Sequence, residues 1–225
     1  MQIVFENENF VVCDKPGQVL SVPSRDREDP RPCLGIELKK KYTQGVFPVH
    51  RLDFEVSGLI IYALNAKAHR ISQSWFDKKI ITKTYRARTS LQDFSHWPPG
   101  IKTDSTLIDI EQAKDFFWAT KIHRGKKRSF EAEHGDWAET KASIYKILPN
   151  ELIWQLHPLT GKPHQLRLEL SRHGFPIHGD VLYGSSRPFD LPGIALQAIS
   201  LDLSQVGERL GLPSQINLKV DEYRH

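Results

Sequence analysis

The sequence predicts an α+β protein built around a mainly antiparallel sheet. Strand-like runs outnumber the helical segments, and two pairs of these runs are joined by short turn-forming sequences. The helical segments do not alternate regularly with the strands, as they would in a parallel α/β sheet. The chain has 225 residues, of which 39% are hydrophobic, and this is enough to build one domain with a substantial core. We therefore expect a single domain over residues 1–225.

The first elements are a hairpin, a loop and a short helix. Residues 3–14 contain IVF and FVVCD on either side of ENEN, which predicts two strands and a turn. Residues 15–32 are rich in proline and charge and predict an irregular loop. In CLGIELKKKY, Leu34 and Leu38 lie one helical turn apart, which predicts a short helix with a basic exposed side.

A buried strand, a helix and a second strand follow. The apolar run from Leu59 to Leu64 predicts the buried strand, and Asn65 is a suitable N-cap for a helix over residues 66–79. Two lysines at the end of that segment suit the exposed carbonyls of a helix C-terminus. Residues 80–89 alternate as a strand does, which places on one face Ile81, Lys83, Tyr85 and Ala87.

Residues 90–140 carry no legible pattern and are interpreted as a variable insertion rich in basic and aromatic residues. The hairpin signal returns at 141–157, where Pro149 and Asn150 form a turn between two apolar runs. We expect a last strand at 194–203.

The segment 160–174 predicts a turn that leads into a helix. Pro163 suits the first turn of this helix, and Gly174 suits the position just past its end. Leu166 and Leu170 form its core stripe.

Charge and composition exclude several classes of protein. The net charge is +4 and the pI is near 9.0, which fits a polyanionic partner only weakly. The N-terminus does not have the pattern of a signal peptide, and no apolar run is long enough to cross a membrane. Cys13 and Cys33 form no CxxC pair and predict neither a disulfide nor a zinc site. We expect a cytoplasmic protein.

Asp53 is the first candidate for a functional residue. If residues 51–53 are extended, Arg51 and Asp53 point to one side and Leu52 points into the core. One interpretation is a surface ion pair at the entrance of a strand. The other places Asp53 at the lip of the sheet, because Ser57 and Gly58 allow a sharp turn before the buried run.

The helix at 164–171 offers the second candidate. His164, Arg167 and Ser171 share a face that differs from the leucine stripe. This face is either solvated, or it brings Arg167 to a buried carboxylate that needs a cationic neighbour. Tyr85 by itself indicates only packing.

A metal site is not predicted. His173, His178 and Asp180 lie close together in the sequence, but their spacing matches no established ligand motif. A metal-dependent hydrolase that uses His50, Asp53, His178 and Asp180 is an alternative without the proper spacing.

Four segments, in this order and at these separations, resemble the motifs of the RluA-type pseudouridine synthases. They are HRLDFEVSGLIIYAL, KTYRA, TGKPHQLRLELSRHGFPIHGDVLYG and IALQAISL, and VVCDKPGQVLSVP near the N-terminus resembles a further family segment. The resemblance extends to about residue 203. It implies the pseudouridine synthase fold, with flanking helices and a central RNA-binding cleft.

The resemblance also implies an activity. These enzymes isomerise uridine in RNA to pseudouridine by cutting the bond from ribose to N1 and rejoining the base through C5, without a cofactor. By resemblance Asp53 is the catalytic carboxylate, Tyr85 stacks on the target base, and Arg167 pairs with Asp53. Whether the carboxylate attacks the sugar or assists elimination stays open. Arg51 matches an arginine that fills the space left by the flipped nucleotide.

The implied partner is ribosomal or transfer RNA, and the implied state is a monomer. The predicted RNA-binding residues are His50, Arg51, Lys83, Lys162, His164, Lys126, Lys127 and Arg128. The last three belong to the basic run KIHRGKKR, which is either a solvated loop or a phosphate-contacting insertion. The chain departs from the family pattern at Val56, Lys162 and Pro163. No separate N-terminal RNA-binding domain is expected, and a non-catalytic RNA-binding relative is the alternative.

Overall fold

The computed structural model describes two compact units. The described residues are 1–76, 78–95, 106–206 and 210–219. Unit 1 contains residues 1–83, 191–193 and 197–219, and unit 2 contains residues 84–190 and 194–196.

Unit 1 has a mixed sheet centred on one buried strand. Its elements are β1 (Gln2–Glu6), β2 (Phe10–Lys15), α1 (Leu34–Lys41), β3 (Phe47–Pro48), β4 (Ser57–Ala63), α2 (Ala66–Ser72), β10 (Leu196–Asp202, which starts in unit 2) and β11 (Gln215–Asn217). β4 pairs antiparallel with β2 and β3 and parallel with β10. From Gly58 onward every residue of β4 is buried. A strand covered on both faces needs a continuous apolar run, which is why GLIIYA does not alternate.

The core of unit 1 corrects one predicted helix boundary. Asn65 caps α2 as predicted, because its Oδ1 accepts the Ala68 N–H at 2.9 Å. The helix ends at Ser72, however, and the prediction that lysines 78 and 79 close it is wrong. Trp75 lies in the following turn, where it is 3% exposed and packs on Phe10 with ring centroids 5.3 Å apart. Burial of this indole therefore overrides the continuation of the helix.

Unit 2 is an antiparallel sheet with one helix. Its elements are β5 (Thr82–Ser90, which starts in unit 1), β6 (Asp115–Arg124), β7 (Ser129–Glu131), β8 (Asp136–Leu148), β9 (Glu151–Pro158), α3 (Gln165–Arg172) and a 3₁₀ turn (Val181–Tyr183). The strand order is β5-β9-β8-β6-β7, and each of these pairings is antiparallel. α3 covers one face of the sheet, where Leu168 packs against Ile122 and Ala138.

The segment 90–140 contains strands that the sequence pattern does not reveal. β6 and β7 lie here and β8 begins here, so the segment contributes to the sheet, while its residues 96–105 lie outside the described residues. That the segment is a variable insertion stays a prediction. Along β6 the buried residues alternate with exposed ones, but the exposed set includes Phe117. An aromatic residue on the solvent side hides the usual apolar–polar alternation. β11 is a further strand beyond the predicted last one.

α3 begins later than expected and ends as expected. His164 is its N-cap residue, with a φ of 55°, so Pro163 precedes the helix and the prediction that it occupies the first turn is wrong. At the other end Gly174 has a φ of 82°, and Phe175 N–H donates to the Leu170 carbonyl at 2.8 Å. This is the left-handed helix ending that favours glycine.

The α+β class with a mainly antiparallel mixed sheet is confirmed, since the β4–β10 pairing is parallel and the other described ladders are antiparallel. Within the described parts of the chain, no helix is long and apolar enough to span a membrane.

Candidate active site

In unit 1, a clasped loop before β4 holds Asp53. The Leu52 N–H donates to Ser21 Oγ at 3.0 Å, and Ser21 Oγ donates to the Leu52 carbonyl at 2.8 Å. Leu52 is 6% exposed, whereas Arg51 is exposed and Asp53 is half-buried. The predicted alternation of these three residues is confirmed. The clasp fixes the backbone on which the Asp53 carboxylate is mounted.

The turn after Asp53 depends on a glycine. The Val56 N–H donates to the Asp53 carbonyl at 3.2 Å, which closes the turn. Gly58 then has a φ of 109°, and a Cβ at this position would lie 2.3 Å from the carbonyl oxygen of Ala198. A side chain would therefore push β4 away from β10 and displace the loop.

The Lys15 side chain donates hydrogen bonds to the same loop. Lys15 is the last residue of β2, it is fully buried, and its Nζ donates to the carbonyls of Val19, Pro16 and Phe54 at 2.8, 3.0 and 3.4 Å. Burial lowers the pKa of Lys15 to about 8, and the charge of Asp53 opposes that fall. Lys15 thus contributes both hydrogen bonds and a positive charge to the Asp53 loop.

A second ammonium group of unit 1 also acts on Asp53. Burial lowers the pKa of Lys83 to about 8, and the Asp53 charge opposes this fall as well. The Lys83 Nζ lies 4.9 Å from the centre of the Phe76 ring, and the His50 ring packs on Phe76 at 4.7 Å. Burial and the Lys83 charge keep the pKa of His50 well below its usual range. His50 is therefore neutral at pH 7.

The His50 side chain also accepts a backbone hydrogen bond. Its Nε2 accepts the Ile61 N–H at 3.2 Å. The ring therefore ties the segment before Asp53 to β4. Its part in RNA binding stays a prediction.

In unit 2, Tyr85 lies on the buried face of β5. It is 6% exposed, it alternates with half-buried neighbours, and its ladder partner is Leu156. Ala87 shares this face and is 1% exposed, as the alternation predicts. The role of Tyr85 toward a base stays a prediction.

Arg167 meets a buried carboxylate, and that carboxylate is Asp180. The Arg167 Nε and Nη2 donate to the two Asp180 oxygens at 2.7 and 2.8 Å. The polar face of α3 is buried, because Ser171 Oγ donates to the Tyr183 carbonyl at 2.7 Å and the His164 ring lies against the Tyr183 ring. The solvated-face interpretation is therefore wrong. The predicted pairing of Arg167 with Asp53 stays a prediction.

Four of the other predicted RNA-binding residues of unit 2 lie at the β6–β7 turn, and the fifth, Lys162, lies beside β8. Lys126 and Lys127 are exposed in this turn. Arg128 Nη1 donates to the Leu182 carbonyl at 3.3 Å, and Lys162 forms an ion pair with Asp136 at 3.0 Å. His164 Nε2 lies 3.3 Å from Arg124 Nη1. Arg124, Lys126, Lys127, Arg128 and His164 therefore lie at one turn, and Lys162 lies beside the first residue of β8.

The residues of the metal hypothesis have separate partners. His178 Nε2 lies 3.2 Å from Ser90 Oγ, whereas Asp180 binds Arg167. Burial lowers the pKa of His178. Among the residues that the structure describes, no three ligating side chains are grouped so that they could hold a metal ion.

Sequence reasoning missed three contributors to this arrangement. Lys15 lies at the end of an apolar strand, and a lysine there is a signal that could have been noticed. Ser21 lies in a loop without a distinctive pattern. From the sequence, Asp180 was considered only as a possible metal ligand. All three act on residues at least 13 positions away in the sequence.

The comparisons with known proteins agree on one family. A model described as RNA pseudouridylate synthase matches residues 9–172. The chain belongs to the RNA pseudouridylate synthase family. A dual-specificity RNA pseudouridine synthase RluA from Vibrio vulnificus (strain CMCP6) is 30% identical over 193 residues, which cover 84% of this chain and 71% of that protein. The protein of the same description from Salmonella typhi is 30% identical over 204 residues, covering 90% and 86%.

Solved structures confirm the pseudouridine synthase fold. Human RNA Pseudouridylate Synthase Domain Containing 1 superposes with a TM-score of 0.70 at 23% identity, covering 98% of this chain and 83% of the human one. Human RNA Pseudouridylate Synthase Domain Containing 4 gives 0.68 at 19% identity, covering 99% and 90%. The chain is therefore an RNA pseudouridine synthase, an isomerase of the RluA type whose substrate is RNA.

Proposed function

We propose that this synthase converts specific uridines of ribosomal or transfer RNA to pseudouridine, with Asp53 as the catalytic carboxylate. The observation that carries the proposal is the setting of Asp53 in unit 1. Its loop is clasped by Ser21, and the positive charges of the buried Lys15 and the half-buried Lys83 act on its carboxylate. The relatives from Vibrio vulnificus and Salmonella typhi are described as dual-specificity RNA pseudouridine synthases, which supports RNA as the substrate.

The reaction needs a fixed negative charge near the ribose of the target nucleotide. The bond between ribose C1′ and uracil N1 breaks, the uracil turns, and a bond forms between C1′ and C5. C5 loses its proton to solvent and N1 gains one, so no redox equivalent is consumed. A carboxylate close to C1′ stabilises the electron-poor sugar while the base is detached. Two nearby ammonium groups favour the charged form that this role requires.

Tyr85 and Arg167 complete the proposed catalytic set. Tyr85 offers a buried ring that suits stacking on the flipped uracil. Arg167 is held by Asp180 in a fixed orientation, and we assign it to Asp53 as a positioning residue. Arg51, which is exposed beside Asp53, is assigned to the space that the flipped nucleotide leaves in the RNA.

The cations around the β6–β7 turn are the proposed phosphate contacts. Exposed ammonium groups at Lys126 and Lys127 suit the RNA backbone, and His164 borders the same turn. Lys162, beside Asp136 at the start of β8, is a further proposed contact. We propose a single catalytic domain that works as a monomer in the cytoplasm.

The decisive experiment replaces Asp53 by Asn and follows isomerisation on RNA labelled with tritium at uridine C5. We expect turnover to fall by at least about 10³-fold while RNA affinity stays within about threefold of wild type. Asp26→Asn is the matched control, since Asp26 is an exposed carboxylate of the same unit. Pseudouridine maps of cellular RNA with and without the protein then identify the site. Full turnover by the Asp53→Asn variant would refute the assignment, and a wild-type protein that binds RNA without isomerising it would leave only a binding module.

A further inference from the structure

The face of the unit 2 sheet that lies opposite α3 carries an alternating set of aromatic and cationic side chains. Strand alternation puts Phe117 and Lys121 of β6 on the side away from Ile122, which packs under α3. The ladder register places Trp137 opposite Lys121. We call this surface the aromatic face, and its six residues are Arg86, Phe117, Lys121, Trp137, Lys141 and Tyr145.

The three aromatic side chains of this face are open to solvent. Phe117 is 58% exposed, Trp137 59% and Tyr145 49%. Scattered exposed apolar residues are ordinary, but three large rings on two adjacent strands form a patch of the kind that marks an interaction site. Tyr145 belongs to this face because it occupies the irregular step of β8 and its ring lies under the Arg86 guanidinium, 3.5 Å from its centre.

Each ring has a cation beside it. The Lys121 Nζ lies 5.6 Å from the centre of the Trp137 ring, and Lys141 is the ladder partner of Phe117. With Arg86 of β5 against Tyr145, the pairing of a ring with a cation occurs three times on this face. A ring next to a cation presents a stacking surface and a charge to the same ligand.

The charge of this face favours an anionic ligand. Two carboxylates share this face, Glu139 between Trp137 and Lys141 on β8 and the exposed Asp115 two residues before Phe117 on β6. Glu151, on β9, is bound to Arg88. Lys141 lies close enough to His157 to lower the pKa of that imidazole, after the larger effect of burial. The three cations Arg86, Lys121 and Lys141 outnumber the two carboxylates, so the described residues of this face carry a net positive charge with rings exposed between the charges.

We propose that the aromatic face binds unpaired nucleotides of the RNA substrate, with bases stacked on Phe117, Trp137 and Tyr145 and phosphates held by the neighbouring cations. Trp137 and Tyr145 are eight residues apart on β8, a distance of about 27 Å, and Phe117 lies near the midpoint. That length suits a segment of several nucleotides, as in other sheet surfaces that bind single strands. The inference rests on the proposed function, because it concerns the same RNA.

A second copy of the chain fits this face less well. Two copies related by a two-fold axis would desolvate the charges of both faces, in which cations outnumber carboxylates three to two, and an uncompensated buried charge costs free energy. RNA neutralises those cations and stacks on the rings at once. The interleaving of charge and ring therefore favours nucleic acid as the occupant.

The experiment measures binding of a twelve-nucleotide single-stranded oligouridylate and of total transfer RNA by fluorescence anisotropy. The variants are Phe117→Ala, Trp137→Ala, Tyr145→Ala and the triple combination. We expect each single change to weaken oligonucleotide binding by about 5- to 100-fold, because each removes a stacking surface. Ile36→Ala is the matched control, since Ile36 is 46% exposed on α1, and it should leave the dissociation constant unchanged.

The salt dependence separates stacking from charge. The aromatic variants should keep the wild-type slope of log Kd against log salt, whereas Lys126→Ala combined with Lys127→Ala should lower the slope by about 0.7 per lost phosphate contact. If circular dichroism shows that the triple variant does not fold, the charge reversals Lys121→Glu and Lys141→Glu test the inference instead. Each should weaken oligonucleotide binding.

Two outcomes would overturn the inference. The first is a dissociation constant for the oligonucleotide that is the same in the aromatic variants as in the wild type. The second is a dimeric wild type and a monomeric triple variant in analytical ultracentrifugation, because the aromatic face would then join two copies of the chain. Isomerisation by the wild type is measured in parallel: its absence with intact, aromatic-dependent binding would refute the proposed function and leave this inference standing.

Discussion

Arg167 and Asp180 form a bidentate ion pair, with Nε–O and Nη2–O distances of 2.7 and 2.8 Å, and each side chain is 1% exposed. The two parallel hydrogen bonds lock the plane of the guanidinium. Arg167 extends from the first turn of α3, and Asp180 precedes the 3₁₀ turn, so the pair also joins two segments of unit 2. A side chain held in this way can position another group without reorienting during catalysis.

The first prediction concerns the stability that depends on this pair. Asp180→Asn leaves a buried guanidinium without its counter-charge, and we expect the free energy of unfolding to fall by about 3–5 kcal/mol. Glu37→Gln is the control, since the Lys40–Glu37 pair is exposed and such pairs contribute about 1 kcal/mol or less. Urea denaturation measures both. Losses of similar size in the two variants would contradict a special role for the buried pair.

The second prediction separates turnover from binding at Arg167. Arg167→Lys keeps a positive charge but loses the two-pronged geometry. If Arg167 positions Asp53, turnover should fall by about tenfold or more, while RNA affinity changes little. Single-turnover kinetics and a binding isotherm on the same RNA give the two values. A role as a phosphate contact would instead weaken binding as much as turnover.

The third prediction is a pH dependence that originates at Lys15. Burial lowers the folded-state pKa of Lys15 to about 8, from an ordinary value of 10.5. Its burial cost is therefore full below pH 8 and declines as pH rises toward 10.5, because the folded chain loses the proton first. The free energy of unfolding should rise over this range by up to about 3 kcal/mol from Lys15 alone.

Lys15→Met tests this origin. The variant should lose that part of the rise between pH 8 and 10.5, as measured by urea denaturation at several pH values. Lys40→Met is the control, because Lys40 is exposed and should leave the curve unchanged. Identical pH curves for wild type and Lys15→Met would show that the buried ammonium is not the titrating group.

The fourth prediction concerns Arg51 and the flipped nucleotide. Arg51→Ala should slow isomerisation of a uridine in a paired region more than that of a uridine in an unpaired oligonucleotide. The reason is that extrusion from a helix costs a few kcal/mol, which a side chain in the vacated space partly offsets. Arg70→Ala is the control, as an exposed arginine on α2. Equal effects on the two substrates would assign Arg51 to general phosphate binding.

Much of the fold follows from local patterns. The β1–β2 and β8–β9 hairpins, the buried strand β4 and the cap at Asn65 each depend on residues within a few positions of one another. The sequence pattern did not predict β6 and β7, and in β6 the exposed Phe117 obscures the alternation. α2 is shorter than its pattern predicts because Trp75 is buried in the core. These exceptions arise where packing outweighs local preference.

The sequence by itself determined the family, the α+β class and the candidate residues Asp53, Tyr85 and Arg167, since motif order and alternation are properties of the chain. Tertiary structure decided which charges meet. It brought Lys15 beneath the Asp53 loop, gave Arg167 its partner in Asp180, and exposed the aromatic face. Periodicity specifies which side of an element is buried, whereas an electrostatic partner is set by segments far apart in the sequence that come together only on folding.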